Sequence, residues 1–296
     1  MLQILRRRHN FSALAFLLPA ILLLLLLGAF PMGYSIYLSF TNTILSKRPP
    51  YSFVGLQNYV ALFQDRLFLN SLWKTLYFSI LLIFGLLFFG TTVAFLLNQN
   101  FRAKGVVLAT VLIPWAIPKV VNALIWKWVF DGNFGIFNVI LKQMGIIKEF
   151  KFWFIESPML GLALMAMASI WKEMPLVAIL ILAALQTVPR ELYEAATIDG
   201  AGALARLFYV TLPNIRPALA VALILTTISS VKTFDLVAVL TQGGPGDQTM
   251  LTYYYAYILG FNYLNIGRAA AVAYLISVGL VILTIVYYVT VYKRET

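Results

Sequence analysis

Six long apolar stretches run through this sequence, and they leave few folds open to it. They cover approximately 12–38, 72–97, 105–129, 158–185, 218–240 and 269–292. A helix that crosses lipid needs about 20 mainly apolar residues, because each adds about 1.5 Å against a hydrocarbon core of about 30 Å. Backbone groups cannot stay unpaired in lipid, so only helices and closed barrels span it. The runs are continuous rather than alternating, which selects helices over a β-barrel. Composition agrees: 61% of residues are hydrophobic and 11% charged, where a soluble domain carries about 25% charged residues. The expected fold class is an all-α membrane protein. One domain, 12–292, holds six transmembrane helices, with cytoplasmic tails at 1–11 and 293–296 and a loop at 186–217.

The formal net charge is +11. Lys and Arg are scattered between the apolar runs and form no basic stripe, so no nucleic-acid partner is expected. Charge at loops and membrane flanks is the better reading. There is no Cys, which excludes disulfides and thiolate metal sites. The single His, His9, stands beside Arg6-Arg7-Arg8, so no His-based metal site or catalytic triad is expected. Those arginines followed by Leu14–Leu27 could be taken for a secretory signal. Apolar character continues through Phe30 to Phe40 without a convincing small-residue cleavage site, so an uncleaved first span is expected. Arg6-Arg7-Arg8 abuts that span, and Arg102 with Lys104 fills a very short turn. By the positive-inside rule both termini then face the cytoplasm.

The loop 186–217 carries the most specific pattern. Pro189 can open a helix. Leu192, Ala195 and Ala196 share one helical face. Gly200 is placed to end the helix in a left-handed conformation. A second short helix is expected from Arg206, with Pro213 marking its boundary. Glu194-Ala195-Ala196, Gly200 and Val210-Thr211-Leu212-Pro213 stand at fixed separations. This resembles the signature of binding-protein-dependent ABC importer permeases, with Val210 where the family pattern has Ile. Phe53–Tyr59, Ile113–Pro118, Trp126-Lys127-Trp128, Phe134–Asn138 and Thr241-Gln242-Gly243-Gly244-Pro245-Gly246 are similar to the sugar-permease branch. The last of these resembles the first permease of the pair in maltose- and glycerol-phosphate-type systems.

The resemblance implies a type I importer permease in a bacterial or archaeal plasma membrane. It implies a second homologous permease, a dimer of ATPase subunits and an extracytoplasmic substrate-binding protein as partners, besides membrane lipid. It implies that the loop is a coupling helix docked on the ATPase, through Glu191, Glu194, Ala195, Ala196, Asp199, Gly200 and Ala201. A solvated acidic face fits Glu191 and Asp199 equally. No Gly-x-x-x-x-Gly-Lys-Ser/Thr phosphate loop occurs in the sequence. ATP and Mg2+ are therefore expected in the partner ATPase, with no cofactor, metal or catalytic residue in this chain.

Polar residues inside lipid are candidates for a substrate route. Thr226, Ser229, Ser230 and Thr233 form a hydroxyl stripe at helical spacing, suited to sugar hydroxyls and equally to close helix packing. Lys172 and Glu173 lie midway along the fourth span, with Leu176 one turn on. The resemblance points to the helices flanking the loop as substrate-lining. Lys119 can pair with Glu173, and Lys232 with Asp235, three residues apart. Pro114 and Pro118 should kink or break the third span. The expected function is import of a sugar, oligosaccharide or related polyol. Other polar solutes such as glycerol phosphate remain open. A stand-alone secondary transporter would need coupling-ion residues and usually more spans. A membrane enzyme would need a nucleophile, metal cluster or cofactor motif to accompany carboxylates such as Glu173 and Asp235.

Overall fold

The computed structural model describes residues 16–292. The expected tails 1–11 and 293–296, and the first residues of the first span, lie outside the described residues. Regular structure here is helical, apart from isolated β-bridges at Thr41–Phe53 and Ile44–Asn265. In chain order the helices are α1 (Phe16–Ser39), α2 (Gln57–Gln64), α3 (Arg66–Asn98), α4 (Lys104–Ala116), α5 (Lys119–Val129) and α6 (Ile136–Gln143). They continue as α7 (Pro158–Thr187), α8 (Arg190–Ile198), α9 (Ala203–Arg206), α10 (Leu212–Val231), α11 (Asp235–Leu240), α12 (Thr252–Tyr257) and α13 (Ile266–Tyr287). Among the described residues, five helical runs are long and apolar enough to cross a membrane, and six when the bent pair α4–α5 counts as one span.

The chain forms two compact units, one made of the described residues up to Gln64 with Ala256–Leu275, the other of Asp65–Tyr255 with residues from Ile276 onward. In the first unit, α1 buries none of its apolar window within the chain. Beyond it, the buried Asn58 amide donates to the Ser39 and Thr41 carbonyls, both at 2.8 Å. A Cβ on Gly267 would stand 2.2 Å from the Thr41 carbonyl oxygen, so only glycine permits this approach of α13.

The second unit is built on α3 packed along α7, the most extensive helix contact in the molecule. Phe78, Leu82 and Leu86 of α3 and Leu162, Met165 and Ile181 of α7 are fully buried. Small residues bring the backbones together, as helices in lipid require. A Cβ on Gly85 would stand 2.2 Å from Ile170 Cδ1, the movable end of that side chain, and 2.9 Å from its Cγ1, whereas one on Gly90 would stand 2.6 Å from Val177 Cγ1 and 2.8 Å from its Cβ. Val177 is β-branched and stiff. Gly90→Val should therefore cost about 1–3 kcal/mol of overpacking, read as a lowered unfolding midpoint of the detergent-solubilised protein, while Gly85→Ala costs less.

Three boundaries differ from the sequence expectation. α3 starts at Arg66 rather than 72, because Asp65 caps it by accepting the Leu67 N–H at 2.9 Å. Pro213 does not end a helix: α9 runs through a π-turn, Leu207–Thr211, directly into α10. Proline cannot donate to the carbonyl four residues back, and the wider turn accommodates its ring. The expected fifth span is broken at 232–234, between α10 and α11. The segment 131–157 is rich in aromatics. Trp153 is 6% exposed and packs with Phe137, ring centroids 5.1 Å apart, beside a Phe130–Phe137–Phe154 cluster. These rings form a small core of their own, and Phe152 beside them is 51% exposed.

Candidate functional site

Two helix breaks meet midway along the second unit. In the third span, Ile117 adopts φ −69°, ψ 131°, the extended conformation that a following proline imposes. Pro118 then opens α5, and the axes of α4 and α5 diverge by 92°. Pro114 lies within the last turn of α4 without ending it. The second break is the one at 232–234. Short α11, beyond it, packs on α5. Irregular backbone at membrane depth is tolerated where it lines a cavity, and a cavity lies here.

A cleft of about 230 Å³ runs between α4, α5, α7 and α10. Lys119, Lys172, Glu173, Thr226 and Ser229 supply its polar groups, and Trp115, Leu176 and Leu225 contribute to its apolar wall. Glu173 is the hub: Ser229 Oγ donates to its Oε2 at 2.7 Å, and Lys119 Nζ lies 3.9 Å from its Oε1. The expected Lys119–Glu173 pair is therefore formed. Lys172, 7% exposed, donates to the Trp115 carbonyl at 3.3 Å. That carbonyl is one of the last four of α4 and has no intrahelical partner. A cation at a helix C-terminus is also favoured by the helix dipole.

The hydroxyl stripe divides. Thr226 and Ser229 line the cleft, and Thr233 faces a second, smaller pocket behind it. Ser230 is fully buried and bonds the Thr227 carbonyl at 2.9 Å, outside both cavities. The expected Lys232–Asp235 pair is corrected. Lys232 is exposed at the end of α10, while Asp235 opens α11 across the break and lines the smaller pocket with Lys119, Lys172 and Glu173. Spacing of three residues joins side chains only on an unbroken helix. Two ammonium and two carboxylate groups thus converge with no formal net charge. Sequence reasoning missed Asn122, Ser169 and the lining role of Trp115. A polar Asn three residues after Lys119, just past a proline break, was the available signal for Asn122.

At the other end of α7, α8 stands clear of the helix core, with no buried residue. It closes by a Schellman motif: Ala201 N–H donates to the Ala196 carbonyl at 2.8 Å, Gly200 N–H to that of Thr197 at 3.1 Å, and Gly200 has φ +75°. Glu191, Glu194, Ala195, Asp199 and Gly200 are exposed, and Ala196 and Ala201 are half-buried. Among the described residues, Glu191, Glu194 and Asp199 form no ion pair within the chain. Tyr193 OH lies 3.1 Å from Thr211 Oγ1, and Arg206 donates to Thr197 Oγ1 at 3.3 Å. These bonds tie α8 to the stem of the long helix that reaches the cleft. Leu192, Ile198 and Leu204 remain exposed beside them.

Residues 86–294, more than half of the chain, match the family of binding-protein-dependent transport system inner membrane components. The chain belongs to that family. It is a multi-pass inner-membrane transport permease of the ABC type. Among its relatives is the sulfoquinovosyl glycerol transport system permease SmoG of Agrobacterium fabrum, 38% identical over 88% of this chain and 84% of that protein. The trehalose/maltose transport system permease MalF of Thermococcus litoralis is 36% identical over 92% and 90%. The fold also matches a bacterial ABC transporter involved in import of the acidic polysaccharide alginate, with TM-score 0.85, 22% identity and full coverage of both chains.

Proposed function

We propose that this permease carries a sugar, oligosaccharide or related polyol inward. The observation that carries the substrate class is the cleft, where hydroxyl and ion-pair groups face an apolar wall including Trp115. A few convergent polar groups on an apolar lining suit a ligand with both hydroxyls and C–H faces. The sugars named for SmoG and MalF, one a sulfonated glycoside and the other a pair of neutral disaccharides, support a sugar substrate.

On this reading the chain is one half of the pathway and hydrolyses nothing itself. A second permease completes the pathway, and an extracytoplasmic binding protein delivers the substrate. ATP and Mg2+ are held by a pair of ATPase subunits that grip α8 from the cytoplasm, where both termini also lie. Glu191, Glu194 and Asp199 supply unpaired charge for that grip, and Ala195 and Ala196 permit close approach. ATP binding moves α8, and the helical run from Ala203 to Val231 carries the movement to Thr226 and Ser229 beside the cleft. The test is uptake by the reconstituted assembly with trehalose, maltose and glycerol 3-phosphate. Uptake of a neutral sugar, lost when the ATPase subunit is omitted, is expected. Uptake of glycerol 3-phosphate alone rejects the substrate class, and uptake without ATPase subunits rejects the ATP-driven mechanism.

A further inference from the structure

Behind the cleft, and sharing Lys119, Lys172 and Glu173 with it, lies the second pocket. Its free volume is about 20 Å³, and a site of at least about 10–15 Å³ with polar partners holds one water. Asn122, Ser169, Thr233 and Asp235 are among the residues that complete its wall. Asn122 is 3% exposed, and among the described residues its Oδ1 has no hydrogen-bond partner. Buried side-chain acceptors in native proteins are nearly always satisfied. The pocket also receives the first turn of α5, which opens with no side-chain cap and so has N–H groups without intrahelical partners. An unmet acceptor, an uncapped helix start and a water-sized polar void coincide between the two broken spans.

We propose that this pocket is a subsite for a single hydroxyl-sized ligand, with Asn122 Oδ1 as the acceptor that reads it. A water fills the pocket in the resting transporter. When substrate occupies the cleft, one of its hydroxyl groups replaces that water and donates to Asn122, between the Lys119–Glu173 pair and Asp235. Asn122 is then a specificity-determining residue. It rejects analogues lacking that hydroxyl, because they leave its oxygen buried and unpaired. The hydroxyl step rests on the sugar reading above; the water site does not.

Two measurements on the complete assembly test it. Cryo-electron microscopy of the sugar-free transporter in lipid nanodiscs should show one water within hydrogen-bonding distance of the Asn122 amide, absent in Asn122→Leu. A dry pocket, or an Asn122 amide bonded to a neighbouring protein group, overturns the proposal. The second measurement is uptake of maltose and its monodeoxy derivatives, or of trehalose and its own if the wild type prefers trehalose. Asn122→Ala should raise the KM for the parent sugar about tenfold while leaving one monodeoxy derivative transported equally by variant and wild type. Equal losses for every derivative overturn the hydroxyl role. If the wild type takes up neither sugar, the sugar reading fails, and the water density still decides the pocket.

Discussion

Gly200→Pro should bring uptake to background while the permease still inserts and assembles. Gly200 sits at φ +75°, and proline is held near −65°. The substitution also removes the Gly200 N–H, which satisfies the Thr197 carbonyl. Both bonds of the motif that ends α8 are then lost, and the chain must leave Ile198 in another direction. No Cβ clash contributes, because nothing lies within 4 Å of where a Cβ would stand. The effect is therefore one of backbone direction, and graded substitutions reveal it. Gly200→Asn, which tolerates the left-handed region, should keep most of the activity. Gly200→Ala, at a cost of about 1–2 kcal/mol for that conformation, should fall between. Glu194→Lys leaves the backbone intact and reverses an exposed charge with no ion-pair partner among the described residues, so it should reduce uptake and binding-protein-stimulated ATP hydrolysis together. The checks are uptake, ATP hydrolysis and size-exclusion profile of the purified assembly. Wild-type uptake by Gly200→Pro would remove α8 from the transmission of force.

The parts legible in the sequence were those governed by local rules. Apolar length announced the spans, since lipid admits little else. Gly200 announced its own φ, because the left-handed position after a helix is where glycine carries no steric penalty. The Lys119–Glu173 pair was foreseeable because a charge at membrane depth must find a partner. What failed depended on where helices break in three dimensions. The Lys232–Asp235 reading assumed an unbroken helix, and the break at 232–234 sends Asp235 to the opposite charge cluster. The hydroxyl stripe assumed that four positions at helical spacing share one environment. In fact the α10 surface near Ser230 is covered while that near Ser229 opens on Glu173. Pro213 misled because proline's effect depends on the turn preceding it, and a π-turn keeps the helix going. Asn122 escaped notice because its importance lies in an acceptor left unpaired, and only coordinates show that.

Glu173→Leu should be the most damaging single substitution in the charged cluster. Glu173 touches Ser229 of α10 and Lys119 of α5 from its own place on α7, so one carboxylate joins three helices. Its loss leaves Lys172, only 7% exposed, in a cavity with Lys119 and only Asp235 as counter-charge. Removing one member of a buried pair costs about 3–5 kcal/mol, because an uncompensated charge remains. The Lys119 side chain is 54% exposed and Glu173 21%, so water screens much of this, and a loss of about 1–3 kcal/mol is expected. Glu173→Gln should cost less, since an amide oxygen can still accept from Ser229 Oγ. The decisive variant is the double substitution Lys172→Met with Glu173→Leu. It removes one charge of each sign and leaves Lys119 facing Asp235, so it should recover much of the stability lost by Glu173→Leu alone. On the sugar reading, uptake should not recover with it, because a carboxylate that lines the cleft is gone. Unfolding midpoints of the purified protein and uptake by the reconstituted assembly separate the two effects. Recovery of both together would show that Glu173 serves only to neutralise its neighbours, and recovery of neither would show that Lys172 is held in place by the Trp115 carbonyl independently of Glu173.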